Sequence, residues 1–184
     1  MEQKAFRKIL WEEAGKAGLV LGLASTTYLF LTQLIGNSGI PAFAGAAAGL
    51  LLWCIKFAGC IWLMMFFMKR FVRQYPETDN GTAYRFGAAT AVLSALVYAA
   101  AAFANTAFIS ADTINESIQA LMGQMAPALD SNSATRMEEI IEKLPQVTFF
   151  SNLIYCTIYG STLSFILSRN IPNRNPFAEN NSDE

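Results

Sequence analysis

Four long apolar runs, at 17–36, 42–68, 86–109 and 148–168, dominate this 184-residue chain. Each is at least as long as the roughly 20 residues an α-helix needs to cross about 30 Å of hydrocarbon. Lys56 is the one charged residue inside them. In hydrocarbon a chain must satisfy its own backbone N–H and C=O groups, which a helix does within a single segment. The pattern predicts an all-α integral membrane protein, a four-helix bundle forming a single membrane domain over 1–184.

Composition agrees with this because of where the charge lies. Apolar residues make up 53% and charged residues 15% of the chain, against about 25% charged in typical soluble domains. A net charge of −1 gives no basic field for nucleic acid. The chain has no histidine, and so lacks the commonest metal ligand and general base. Cys54, Cys60 and Cys156 fall within the apolar runs, where thiols read as small packing residues rather than as a metal site or disulfide framework. Phosphate-loop, dinucleotide, nucleophile-elbow and zincin motifs are all missing, so no catalytic residue, cofactor or metal is expected.

The basic residues predict the orientation. Lys4, Arg7, Lys8 and Lys16 precede the first run, Lys69, Arg70, Arg73 and Arg85 separate the second from the third, and Arg169 and Arg174 follow the fourth. The link at 37–41 is uncharged, and the link at 110–147 holds Arg136 and Lys143 beside six acidic residues. By the positive-inside bias, both termini and the 69–85 loop are cytoplasmic. The first run is longer than a signal h-region and reads as a retained span.

The 111–147 segment reads as a short amphipathic helical hairpin in the outer loop. Thr113 with Glu116 has capping-box spacing, Ile114, Ile118, Leu121, Met122 and Met125 share a face, and Pro127 stops the run. Thr135 with Glu138 repeats the pattern, with Met137, Ile140, Ile141 and Leu144 on the apolar side and Pro145 at the end. Residues 130–133 form the turn. Such a hairpin packs on itself or on the membrane surface, or else serves as a cap for a ligand or partner. The 169–184 tail reads as polar and extended.

Within the runs, small residues offer close helix contacts. Gly18 with Gly22 and Gly45 with Gly49 have GxxxG spacing, and Ala88, Ala91, Ala95, Ala99 and Ala102 form a ladder. These faces fit packing within the bundle, or against a homo-oligomer or another membrane protein. Lys56 is the sharpest residue. An ammonium at mid-depth costs at least about 2.5–3.5 kcal/mol on insertion scales unless it is paired, neutral or hydrated. Thr26, Thr27, Tyr98, Thr157 and Tyr159 lie at similar depth and are the candidate hydroxyl layer around it, but no carboxylate lies in any run. Lys56 is either satisfied by hydroxyls and carbonyls or snorkels along its helix, or else holds an anionic ligand or a partner's carboxylate.

The WEEAGKAGLVLG lead into the first run, the EEIIEKLP stretch before the fourth and the SRNIPNRNPFA tail together resemble an uncharacterised family of Gram-negative inner-membrane proteins carried as a domain of unknown function. The resemblance covers nearly the whole chain and rests on architecture. It implies a four-helix inner-membrane protein with no catalytic residues to carry over. Because such proteins are often encoded near a glycosyltransferase acting on a polyprenyl-phosphate carrier, it also implies an accessory role. The leading expectation is a non-catalytic subunit or scaffold of an envelope or polyprenyl-phosphate glycosyltransferase system, with the lipid bilayer and a membrane protein or a second copy as partners. The alternative is a small oligomeric transporter or lipid-flipping element that binds an anionic group near Lys56.

Overall fold

A computed structural model describes residues 2–36, 38–39, 41–76, 78–125 and 140–171. The elements are α1 (Glu2–Gly36), α2 (Ala42–Gln74), α3 (Asn80–Ala104), a π-helical turn (Asn105–Ile109), α4 (Ala111–Met125) and α5 (Leu144–Arg169). Among the described residues there is no strand. Four helices, over Ala5–Gly36, Phe43–Gln74, Asn80–Ile109 and Leu144–Arg169, are long and apolar enough to cross a membrane. The protein is therefore an all-α, multi-pass membrane protein.

The helices outrun the apolar stretches for local reasons. The approach to the first run stays helical because its charges pair one turn apart. Lys8 Nζ lies 3.7 Å from Glu12 Oε1, and Lys16 Nζ lies 2.6 Å from Glu13 Oε1. Gly39, at φ 66°, permits the reversal into α2 without Cβ strain. α3 begins six residues before its apolar run because Asp79 caps it, accepting the Thr82 N–H at 2.9 Å. Hydrogen bonding to Thr82, through its side chain first and its backbone N–H second, holds the Asp79 carboxyl below its ordinary pKa. Pro145, expected to end a hairpin helix, sits in the first turn of α5. A proline costs little there, because the N–H it lacks would have no partner anyway. Residues 144–147 thus belong to the fourth long helix.

α3 is the central helix. Its Ala91, Ala95, Ala99 and Ala102 are buried between α1 and α5. It runs parallel to α1. A Cβ on Gly18 would stand 2.8 Å from Leu93 Cβ and 3.0 Å from the Thr90 carbonyl, and one on Gly22 would stand 2.6 Å from Val97 Cβ. α5 runs antiparallel to α3. Gly160 lies so close to Ala91 that a Cβ would come within 2.6 Å of its side chain. Ser164, fully buried against Gly87, donates to the Tyr84 carbonyl at 3.0 Å. Glycine permits these backbone approaches, which lipid-exposed helices need because hydrocarbon supplies no hydrophobic drive between them.

α2 behaves differently along its length. Its C-terminal half joins the core through Met64, Met68 and Phe71, with Phe71 stacked on Phe86 at 4.2 Å. Its N-terminal half is open, with Phe43, Leu50, Leu51 and Ile55 exposed, and nothing lies within 4 Å of a Cβ built on Gly45 or Gly49. Of the two glycine pairs, Gly18 and Gly22 face a neighbouring helix, whereas Gly45 and Gly49 face none in the described structure.

The outer link departs from the expected capping. α4 starts at Ala111, so Thr113 lies inside its first turn instead of ahead of it, and the Ile114 N–H is accepted by the Ser110 carbonyl. The π turn explains the shift. The Ser110 N–H bonds back to the Asn105 carbonyl at 2.8 Å, and Gln33 Nε2 donates to Ser110 Oγ, tying the end of α1 to the end of α3. Ile114, Ile118 and Met122 are half-buried and Leu121 is exposed, with Met125 at the end of α4. The second hairpin helix from Thr135, with Met137 and Glu138, the turn at 130–133 and the prolines at 127, 172 and 176 lie outside the described residues. Ile140, Ile141 and Leu144, from its far end, are described.

Candidate functional site

Lys56 lies close to the middle of α2, on the side facing α1 and α3. Its Nζ stands 4.5 Å from the centre of the Tyr28 ring and 4.9 Å from that of Tyr98. Two ring faces thus replace part of the water an ammonium loses at this depth, each interaction contributing roughly 0.5–2 kcal/mol. No carboxylate lies within 4.0 Å of it among the described residues, whose salt bridges are confined to Glu12 and Glu13. The charge is cushioned without being neutralised.

Beside it is a cavity of about 160 Å³ between α1, α2, α3 and α5. Its polar lining comes from Lys56, Ser25, Ser94, Tyr98, Tyr155 and Tyr159 with the thiols of Cys60 and Cys156, and its apolar lining includes Trp53, Phe57 and Met64. It exists because α2 and α5 barely touch, while α3 holds α1 and α5 closely. Ser25 Oγ and Cys60 Sγ stand 3.8 Å apart and link α1 to α2 across it. The Tyr159 hydroxyl is buried with no hydrogen-bond partner among the described residues, and its ring packs on Phe57 at 5.8 Å. An ammonium, a row of hydroxyls and an unpartnered phenol facing one cavity are suited to bind an anion or a carboxylate. Among the described residues no three His, Cys, Asp or Glu side chains converge for a metal.

Of the expected hydroxyl layer, the structure gathers Tyr98 and Tyr159 with Lys56 at the cavity. Thr26 and Thr27 donate to the Gly22 and Leu23 carbonyls of their own helix, each at 2.9 Å, and Thr27 lines a second cavity, between α1 and α2, that it shares with Lys56 and Tyr28. Thr157 does not line the cavity; its neighbour Cys156 does. Depth alone placed these threonines in the layer, whereas helix azimuth decides which side chains face inward. Tyr28, Ser25, Ser94, Cys60, Tyr155 and Cys156 were missed, although helical spacing was the available signal. Ser94 and Tyr98 are one turn apart, as are Tyr155 and Tyr159, and Lys56 and Cys60.

Comparison with curated proteins and with solved structures finds no match to this chain. The family described as "Protein of unknown function (DUF4199)" matches residues 16–169, a stretch that takes in all four long helices except the leading turns of α1. The chain belongs to that family of proteins of unknown function.

Proposed function

We propose that the protein is a non-catalytic subunit of the bacterial inner membrane, with both termini cytoplasmic, and that it receives a partner's membrane segment along the open side between α2 and α5. One observation carries this reading: Lys56 meets two aromatic faces and a hydroxyl-lined cavity but, among the described residues, no counter-charge. A buried charge without a partner is strongly destabilising, and a carboxylate brought by another helix removes most of that penalty. The unoccupied glycine pair Gly45 and Gly49 lies on the same helix, two and three turns before Lys56, and offers a surface for close approach. The orientation rests on the basic residues, which gather at the end where α1 and α3 begin and α2 and α5 finish.

The test is recovery of native partners after mild detergent extraction, starting with the polyprenyl-phosphate glycosyltransferases that the family resemblance implies. Wild-type protein is expected to bring down a membrane protein with an acidic residue inside a span. Lys56→Met should reduce that recovery about tenfold while the protein itself inserts normally. Recovery of the protein alone, in extracts where other membrane complexes survive, overturns the subunit reading. The second reading, an anion carrier, is favoured by the cavity reaching Lys56. It requires anion flux in proteoliposomes of the purified protein, with loss on Lys56→Met.

A further inference from the structure

A second groove, lined entirely by α1 and α3, lies at the basic end of the bundle and has a volume of about 780 Å³. Two guanidiniums, Arg7 and Arg85, stand on it, and its wall is apolar: Leu10, Trp11, Ala88 and Val92. Both arginines are exposed, and neither has a carboxylate within 4.0 Å among the described residues, since Glu12 and Glu13 are taken by Lys8 and Lys16. The parallel packing of α1 on α3, with Gly18 at the level of Thr90 to Leu93, sets Arg85 near the level of Trp11 and Arg7 about one turn, roughly 5 Å, outside it. Val92 lies seven residues deeper than Arg85, about 10 Å along the axis. Cationic groups at headgroup level thus lead into an apolar wall running down the acyl region, with Trp11 and Tyr84 at the boundary where amphipathic rings settle.

We infer that this groove binds an anionic phospholipid of the leaflet at the basic end, its phosphate between Arg7 and Arg85 and one acyl chain against Leu10, Ala88 and Val92. Charge complementarity selects the occupant. Two guanidiniums with no carboxylate beside them among the described side chains fit a phosphate bidentately, and the length of apolar wall below them suits a chain that a soluble anion lacks. This site is independent of Lys56, which lies on a different helix and faces a different cavity.

The experiment is native mass spectrometry of the detergent-solubilised full chain titrated with phosphatidylglycerol, with phosphatidylcholine and with soluble glycerol phosphate. Phosphatidylglycerol should bind at least about tenfold more tightly than phosphatidylcholine, each near-surface basic residue being worth about fivefold. Arg7→Gln with Arg85→Gln, both exposed changes that leave the core untouched, should erase that preference. Arg70→Gln with Arg73→Gln, at the same end but outside the groove, should keep it. Ala88→Phe, which fills the apolar wall, should weaken both lipids together. Equal binding of the two lipids by the wild type, equal losses in the two arginine pairs, or glycerol phosphate binding as tightly as the lipid would each overturn the proposal.

Discussion

The basic end of the bundle and the half containing Lys56 are built from the same four helices, yet they are packed in opposite ways. At the basic end, Leu10, Ala14, Met68, Phe71, Phe86 and Leu167 form one buried cluster, and Phe6, Phe71, Tyr75 and Phe86 make a continuous aromatic contact. In the other half α3 still holds α1 and α5, but α2 leans away, and a cavity with an uncompensated ammonium opens beside it. The difference follows from side-chain size. Glycine and alanine on α1, α3 and α5 permit close approach all along those helices, whereas α2 buries large Met and Phe side chains against its neighbours only in its last three turns. One half is thus complete in the monomer, and the other carries an unfilled polar site.

The largest expected effect separates the two glycine pairs. Gly22→Leu forces a side chain into Val97 and the Ser94 carbonyl, and overpacking of this kind costs about 3 kcal/mol or more. Thermal unfolding in detergent should fall sharply. Gly49→Leu, with no atom within 4 Å to meet, should leave that transition within about 0.5 kcal/mol of wild type, yet should weaken recovery of a partner. Equal destabilisation by both substitutions would mean that α2 packs as closely as α1 and would remove the contrast.

Next in size is the charge itself. Lys56→Met removes the desolvation penalty along with the two ring contacts, so the isolated monomer should become steadier by about 1 kcal/mol. Lys56→Arg should destabilise it, because a guanidinium keeps its proton and needs more partners than the cavity supplies. Tyr98→Leu in the wild-type background should cost about 1 kcal/mol through the lost ring, and in the Lys56→Met background less. That non-additivity, read from a double-mutant cycle, measures whether the tyrosine is there for the ammonium.

The sequence carried the spans and the position of Lys56 well, because hydropathy and charge are summed along the chain and need no knowledge of neighbours. It located the helix ends less well. The polar lead of α1 is held by Lys8–Glu12 and Glu13–Lys16 pairs, and Pro145 suits a first turn as readily as it ends a helix. The site was half legible. Tyr98 and Tyr159 reach the cavity and Thr27 shares a second one with Lys56, but the Thr26 and Thr27 hydroxyls donate to their own backbone, a choice any intramembrane threonine has and depth does not reveal. Tyr28 lies at the depth of its neighbour Thr27, and what depth does not reveal is that its ring reaches Lys56 directly across the α1–α2 contact, where Ser25 also meets Cys60.

The smallest expected effect uses acid to tell the two halves apart. Asp79 caps α3 at the basic end, and hydrogen bonding to the Thr82 side chain and then to its N–H lowers its pKa in the folded protein. A carboxyl whose folded pKa lies below its unfolded value of about 3.9 stabilises the fold above that value and ceases to do so as pH falls through the folded pKa. The side chain is largely exposed, so solvent screens the interaction and the whole cap is worth about 1 kcal/mol. Asp79→Ala should therefore lower stability by about that amount at pH 7, and the gap between variant and wild type should close below about pH 4. Asp79→Asn keeps a side-chain oxygen for the cap and should lose less at pH 7, with the pH dependence gone. The Lys56 cavity has no carboxylate in its lining, so the stability gained by Lys56→Met should be the same on both sides of pH 4. A Lys56→Met gain that changes across that range would place a titrating acid beside the ammonium and end the description of this half as a site waiting for its counter-charge.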